Sequence, residues 1–271
     1  MPGLACGISI AGMSVTVSCD DARLASALRE RYHTFPLTAR YTFVVQVHLS
    51  GATTVSGGSS LLDSELIFRQ GVLHLVGSSF AGVIDVQNAT AELTLTSPQP
   101  LEDVEYFLRN VYALLTFRAG GLLFHAAGIV RDHRGYLFFG QSGSGKTTVA
   151  RLSLHDLVLN DDLVVLMPTA EGWILHATPF WNPTQVRPTG PACAPLTALF
   201  RLVQARTVYA KPMDAGQALA EFVSSVPVVA GDAQLVNLLL ARGHSLLRTI
   251  PMYALHFLPD ASFWNTVEAV T

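Results

Sequence analysis

The sequence predicts an α/β protein in two parts: a small β-rich α+β unit over residues 1–100 and a phosphate-loop unit with a mixed sheet over residues 101–271. Two observations carry this. Between residues 65 and 96, short apolar and β-branched segments recur with Gly, Ser and Asn between them, the pattern of a β-meander. Between residues 136 and 154, the apolar run "YLFFG" leads into a glycine-rich loop and then "KTTVARLSL", the strand–loop–helix order of a phosphate-binding loop. Half of the 271 residues are apolar and 14% are charged, enough to build a sizeable core.

The first unit reads in order. "MSVTVS" alternates like a strand, and "DDARLASALRERYHTF" places Leu24, Leu28 and Tyr32 on one helical face, with Asp20 or Asp21 as N-cap. "YTFVVQVHLS" is strand-like, and "GATTVSGGSS" is a loop. The strands "SELIFRQ", "VLHLVG", "AGVIDVQ" and "AELTLTS" follow. "SPQP" at residues 97–100 marks the boundary. Next, "LEDVEYFLRNVYALLTFRAGG" is a helix with a stripe of Leu101, Val104, Leu108, Val111 and Leu115, acidic at its start and basic at its end as the helix dipole favours. "LLFHAAGIV" and "YLFFG" flank "RDHRG", a hairpin turn. Toward the end, "PLTALFRLVQA" and "MYALHFL" are strands. "DAGQALAEFVSSV", with Asp214 and Gln217 at capping-box spacing, "DAQLVNLLLARGHSLLRTI", capped by Asp232, and "SFWNTVEAV" are helices.

Gly140-x-x-x-x-Gly145-Lys146-Thr147 satisfies the phosphate-loop pattern in full. Successive backbone N–H groups must converge on one anion, and side chains would block the approach, which explains Gly140, Gly143 and Gly145. The positive end of the following helix points at the same phosphates. Lys146 adds a mobile charge for the outer phosphates, and the Thr147 hydroxyl is a ligand for Mg2+. The nucleotide-binding set is Gly140, Ser142, Gly143, Ser144, Gly145, Lys146, Thr147 and Thr148.

"LVLNDDLVVL" places two adjacent carboxylates, Asp161 and Asp162, inside an apolar run. Burying unpaired carboxylates is costly, and a bound Mg2+ would supply the missing countercharge. One Asp at a strand end beside such a loop serves the metal, and the second is placed to accept a proton from an attacking hydroxyl. The residues alone also admit a solvated turn between two short strands. His125 lies on a strand expected beside the phosphate-loop strand, where it is either a site residue or a core histidine.

His125 in "LLFHAAGIV", then "FFGQSGSGKT", then "LVLNDDLVVL", resemble in order the catalytic domain of HPr kinase/phosphorylase, of the phosphoenolpyruvate-carboxykinase-like fold. The resemblance covers residues 118–166 well and the rest to 271 loosely. It implies phosphoryl transfer with ATP and Mg2+, Asp162 on the metal, Asp161 as the base toward a serine hydroxyl, and His125 positioning that Asp or the phosphates. The family's Glu-x-Arg-Gly segment is absent from "EGWILHATPFWNPTQVRPTGPACAPL", so neither HPr as acceptor nor the reverse phosphorolysis is implied. Arg187 in this stretch is either a basic contact to the transferring phosphoryl or a surface arginine. Trp173 and Trp181 either pack or stack on a base or peptide. "HATPFWNP", "APLTALFRLVQA" and "MYALHFLPDASFW" resemble the HPr-kinase-related proteins of peptide natural-product pathways, including kinases that modify lasso-peptide precursors.

The expected function is therefore a serine kinase acting on a peptide or protein, with a small-molecule kinase and a non-catalytic nucleotide-binding regulator as alternatives. A net charge of −3 gives no electrostatic case for nucleic acid or anionic membrane. No run of 18 apolar residues is present, and no Lys or Arg precedes the apolar N-terminal stretch, which argues against a membrane span or signal peptide. Cys6, Cys19 and Cys193 share no metal-ligand spacing and read as idle thiols of a reducing cytoplasm. A homo-oligomer is compatible with this reading.

Overall fold

The computed structural model describes residues 3–38, 43–50, 65–96, 99–181, 185–227 and 232–271. The loop expected at 51–60 and part of the punctuation at 97–100 lie outside them. The chain is a mixed α/β protein that divides into two compact units, Met1–Arg118 and Ala119–Thr271. The division thus falls after the helix that begins at Pro100 rather than before it.

The first unit is a seven-stranded mixed sheet. Its strands are β1 (Gly3–Ile10), β2 (Met13–Cys19), β3 (Phe43–Leu49), β4 (Glu65–Arg69), β5 (Val72–Val76), β6 (Phe80–Asp85) and β7 (Thr90–Leu95), in the order β1-β2-β3-β7-β6-β5-β4. β4 to β7 form the expected antiparallel meander, while β2, β3 and β7 run parallel. β1 is the one strand the sequence reading omitted. It joins β2 through the two-residue turn Ala11–Gly12, where both residues have positive φ, as the twist of a tight hairpin requires. α1 (Ala22–Tyr32) starts at Asp21, whose carboxylate accepts from the Leu24 N–H at 2.7 Å, and it buries Leu24, Leu28 and Tyr32 as its periodicity predicts. In α2 (Pro100–Arg118), Val104, Leu108 and Val111 are buried. So are Phe107, Tyr112 and Phe117, so burial extends well beyond the expected stripe. The Tyr112 hydroxyl donates to the Ile8 carbonyl at 2.9 Å and ties α2 to β1.

The second unit contains β8 (Leu122–Arg131), β9 (Arg134–Phe139), α3 (Lys146–Leu152), β10 (Leu157–Asn160), β11 (Leu163–Thr169), β12 (Gly172–His176), β13 (Cys193–Gln204), β14 (Tyr209–Pro212), α4 (Ala215–Ser224), α5 (Ala233–Leu247), β15 (Met252–Phe257) and α6 (Phe263–Val270). Its sheet is mixed: β9, β13 and β15 are parallel and the other pairings antiparallel. β8 pairs with β11, β11 with β12, β12 with β13, β13 with β9, and β9 with β8, so five strands close on themselves in a ring. Beside the ring, Tyr136, Phe138, Val149, Phe200, Leu255, Phe257, Phe263 and Trp264 form one apolar cluster that ties β9, β13 and β15 to α3 and α6. β12 and β14 were not anticipated; each is only four or five residues long. Asp214 and Asp232 cap α4 and α5 as expected. Among the described residues no helix is long and apolar enough to cross a membrane.

The β8–β9 hairpin turns on Asp132 and His133, at φ of 50° and 62°. Both exposed residues sit in the left-handed region, which a side chain tolerates at a cost of roughly 1–2 kcal/mol. Replacing His133 by Gly is expected to raise thermal stability by roughly 2–4 °C, measured by circular dichroism melting.

Candidate active site

The loop after β9 has the expected glycine geometry. Gly140, Gly143 and Gly145 take φ of 150°, 78° and 110°, all in the region that favours glycine. Gly145 has a packing reason as well: a Cβ there would come 2.6 Å from the Phe257 ring. Around Gly143 nothing lies within 4 Å of such an atom, so the backbone is open to an approaching group. The Ser144 N–H closes a turn onto the Gln141 carbonyl at 3.0 Å, and Gln204, at the end of β13, donates to the Gly143 carbonyl at 2.8 Å. Lys146, the first residue of α3, folds back onto its own loop. Its ammonium donates to the carbonyls of Gly140 at 2.9 Å and Gln141 at 3.4 Å.

The Asp pair sits in a bend between two strands that share one line of partners. Asn160 of β10 is opposite Gly128 of β8, the Ala126 N–H donates to the Asp162 carbonyl at 2.9 Å, and Leu163 of β11 is opposite His125. Both sequence readings are therefore partly realised: the run is an interrupted strand, and the interruption is a turn, but Asp161 is buried rather than solvated, only 1% exposed. Asn160 fixes the bend. Its side-chain carbonyl accepts from the Asp162 and Leu163 N–H groups at 2.7 and 2.9 Å. Its amide donates to the carbonyls of Thr178 at 3.1 Å and Phe180 at 2.7 Å. Thr178 in turn donates to the Leu163 carbonyl at 2.6 Å.

His125, Ser142, Gly143, Gly145, Lys146, Thr147, Thr148, Asp161 and Asp162 line one cavity of about 300 Å³. Gly140 and Ser144 shape the loop without lining the cavity. Gln185 lines it too, and no sequence signal had singled it out. Arg187 does not line it; the guanidinium lies 5.4 Å from the centre of the Trp181 ring. Trp173 is buried in packing. His125 Nε2 stands 3.0 Å from Asp162 Oδ1. The family resemblance gave this histidine the task of positioning Asp161 or the phosphates; here its ring stands at Asp162, and the Thr147 hydroxyl lies near Asp161.

The family profile described as "SynChlorMet cassette protein ScmC" matches residues 101–271, well over half of the chain. The chain belongs to the ScmC family. No curated protein matches the sequence. Among solved structures, the Hpr(Ser) kinase/phosphatase from Coxiella burnetii is similar over 55% of this chain and 95% of that chain, at 13% identity and a TM-score of 0.28.

In this ScmC-family chain the charges of the cavity are set mainly by burial. Burial pushes the Asp161 carboxyl above its ordinary value of 3.8. The Thr147 hydroxyl and the Val186 N–H lie near enough to ease that rise, while Asp162 adds to it. Among the described residues neither Asp161 oxygen closes a hydrogen bond, and both are sealed from solvent. Burial also lowers the Lys146 ammonium, against the opposing pull of Asp162 and Asp161.

Two outcomes follow. Asn160→Ala removes the side-chain hydrogen bonds to the Asp162 and Leu163 amides and to the Thr178 and Phe180 carbonyls, and should cost roughly 2–4 kcal/mol in urea unfolding. For Asp161 the folded value is raised, so its contribution to stability is most favourable below the unfolded value of 3.8 and is lost as pH rises through the folded value. Asp161→Asn, melted without nucleotide or divalent cation, should therefore melt above the wild type at pH 7. That gain should vanish toward pH 4.

Proposed function

We propose that this chain is an ATP- and Mg2+-dependent kinase. It transfers the γ-phosphoryl group to a serine hydroxyl of a peptide or protein, such as the precursor of a ribosomal peptide natural product. One observation carries the reading: the loop residues Lys146 and Thr147, the Asp161–Asp162 pair and His125 all line a single cavity. The family's description as a cassette protein supports an acceptor encoded alongside it.

The residues fit the groups this reading requires. The open approach to Gly143 suits phosphate oxygens, and the unpartnered Asp161 carboxylate beside Thr147 suits a cation. Among the described residues no three His, Cys, Asp or Glu side chains form a metal cluster, so phosphate and water would complete the shell. Bound there, Mg2+ would neutralise charge on the phosphates. Lys146 would exchange the Gly140 and Gln141 carbonyls for the outer phosphates. Asp162, oriented by His125, accepts the serine proton as the serine oxygen bonds to the γ-phosphorus and the bond to the β-phosphate oxygen breaks, releasing ADP. This reverses the division of labour that the family resemblance implies for the two carboxylates, because the histidine stands at Asp162 and the loop hydroxyl at Asp161. Positioning and charge account for most of the rate in such transfers.

The test is transfer of label from γ-labelled ATP to serine peptides encoded near the gene. Asp162→Asn should lower kcat by roughly 10²–10⁴-fold with nucleotide affinity retained, and Lys146→Ala should weaken nucleotide binding itself. Full transfer by Asp162→Asn would overturn the base assignment. ATP binding by the wild type without labelling of any peptide would replace the peptide kinase with a small-molecule kinase if a metabolite is labelled, and with a regulator if none is.

A further inference from the structure

We infer that Arg187, held over Trp181 at the rim of the cavity, reads a carboxylate of the acceptor close to its serine. The inference deepens the kinase reading and rests on it. It names the class of acceptor as an acidic peptide or protein.

Both members of this pair are tied to the bend that carries Asp161 and Asp162. Trp181 follows Phe180, which is fully buried and whose carbonyl accepts from the Asn160 amide at 2.7 Å. Arg187 follows Gln185, which lines the cavity, and Val186, whose N–H lies near the Asp161 carboxylate. On its other side Pro188 is buried. A residue before proline is confined to extended backbone, so Arg187 is held in place although the residue itself is exposed. Its guanidinium lies 5.4 Å from the centre of the Trp181 ring. Among the described residues no carboxylate pairs with it.

This placement decides what the guanidinium can meet. A triphosphate in the loop would have its γ end at Thr147 and the Asp pair. The serine then enters beside Asp162 and His125, whose side chain is 44% exposed. Gln185 lines the same cavity, so the segment from Gln185 to Arg187 borders that entry. Arg187 does not itself line the cavity, which places it for the neighbours of the serine rather than for the phosphoryl group. Among the lining residues Lys146 is the only lysine or arginine, and the phosphates would take it. An acidic acceptor would otherwise face repulsion from the phosphates and the Asp pair, and a cation at the rim offsets it. A guanidinium resting on an indole loses less freedom on binding, and its N–H groups match a carboxylate in pairs. That carboxylate comes from an Asp or Glu side chain or from the chain end of a peptide that stops at the serine.

The experiment uses the whole chain with γ-labelled ATP, Mg2+ and matched serine peptides. One set, amidated at its C-terminus, carries Asp, Asn or Lys at each position flanking the serine. The other ends in serine, as the free acid or as the amide. Wild type should favour the carboxylate over its neutral counterpart by roughly tenfold in kcat/KM, mainly through KM. The set in which this appears identifies the source as side chain or chain end. Arg187→Ala should abolish the preference. Arg187→Glu should turn it toward the lysine-bearing peptides, a gain that a misfolded variant does not imitate. Equal use of acidic and neutral peptides by wild type, or a preference that survives in Arg187→Ala, would overturn the inference and leave the kinase standing. So would a fall in kcat shared by all peptides in Arg187→Ala, which would make the guanidinium a contact to the phosphoryl group. Labelling of no peptide by a wild type that binds ATP removes the peptide-kinase reading, and this inference falls with it.

Discussion

A carboxylate held away from water, with no hydrogen bond closed to either oxygen among the described residues, constrains everything around it. Asp161 is that group, and the fold holds it there with rigid partners. Asn160 spends both ends of its amide on backbone, joining the bend after β10 to the segment at Thr178 and Phe180. Burial raises the Asp161 carboxyl above its ordinary value, so its ionised form carries a standing cost at neutral pH. Sites that hold such strain are the ones where a ligand repays it.

The strand arrangement explains how the site is assembled. β8 is the shared element: β9 on one edge leads to the loop, and β10 and β11 on the other carry the Asp pair, while His125 comes from β8 itself. Three segments distant in sequence are brought to one place by two neighbouring ladders. β13 and β15 add the supports, with Gln204 bonded to the loop carbonyl and Phe257 beneath Gly145. The cluster of Phe138, Phe200 and Phe263 against Trp264 fixes these strands to α3 and α6, and hence fixes the direction in which the loop opens.

Much of the fold could be read along the chain because its signals are local. Strand alternation in β2, β3 and the meander, the Asp caps of α1, α4 and α5, and the Asp-His turn each depend on a few adjacent residues. The elements that escaped, β1, β12 and β14, are short or glycine-bearing and gain their pairing from partners elsewhere. The helix at Pro100–Arg118 was legible as a helix, but the unit it belongs to was not, since amphipathicity says that a face is buried and not against what.

The sequence by itself determined the loop, its glycines, Lys146 and Thr147, because a phosphate cradle is a contiguous motif whose residue types follow from backbone geometry. It also named the two carboxylates and the histidine. Only the tertiary structure decided which carboxylate meets the histidine, that Asn160 and Gln204 hold the site in place, that Gln185 lines it, and that Arg187 stays outside the cavity lining. Those outcomes depend on how a bend is pinned by residues some twenty positions away, on strand register and on burial, and none of these leaves a local trace in the order of amino acids.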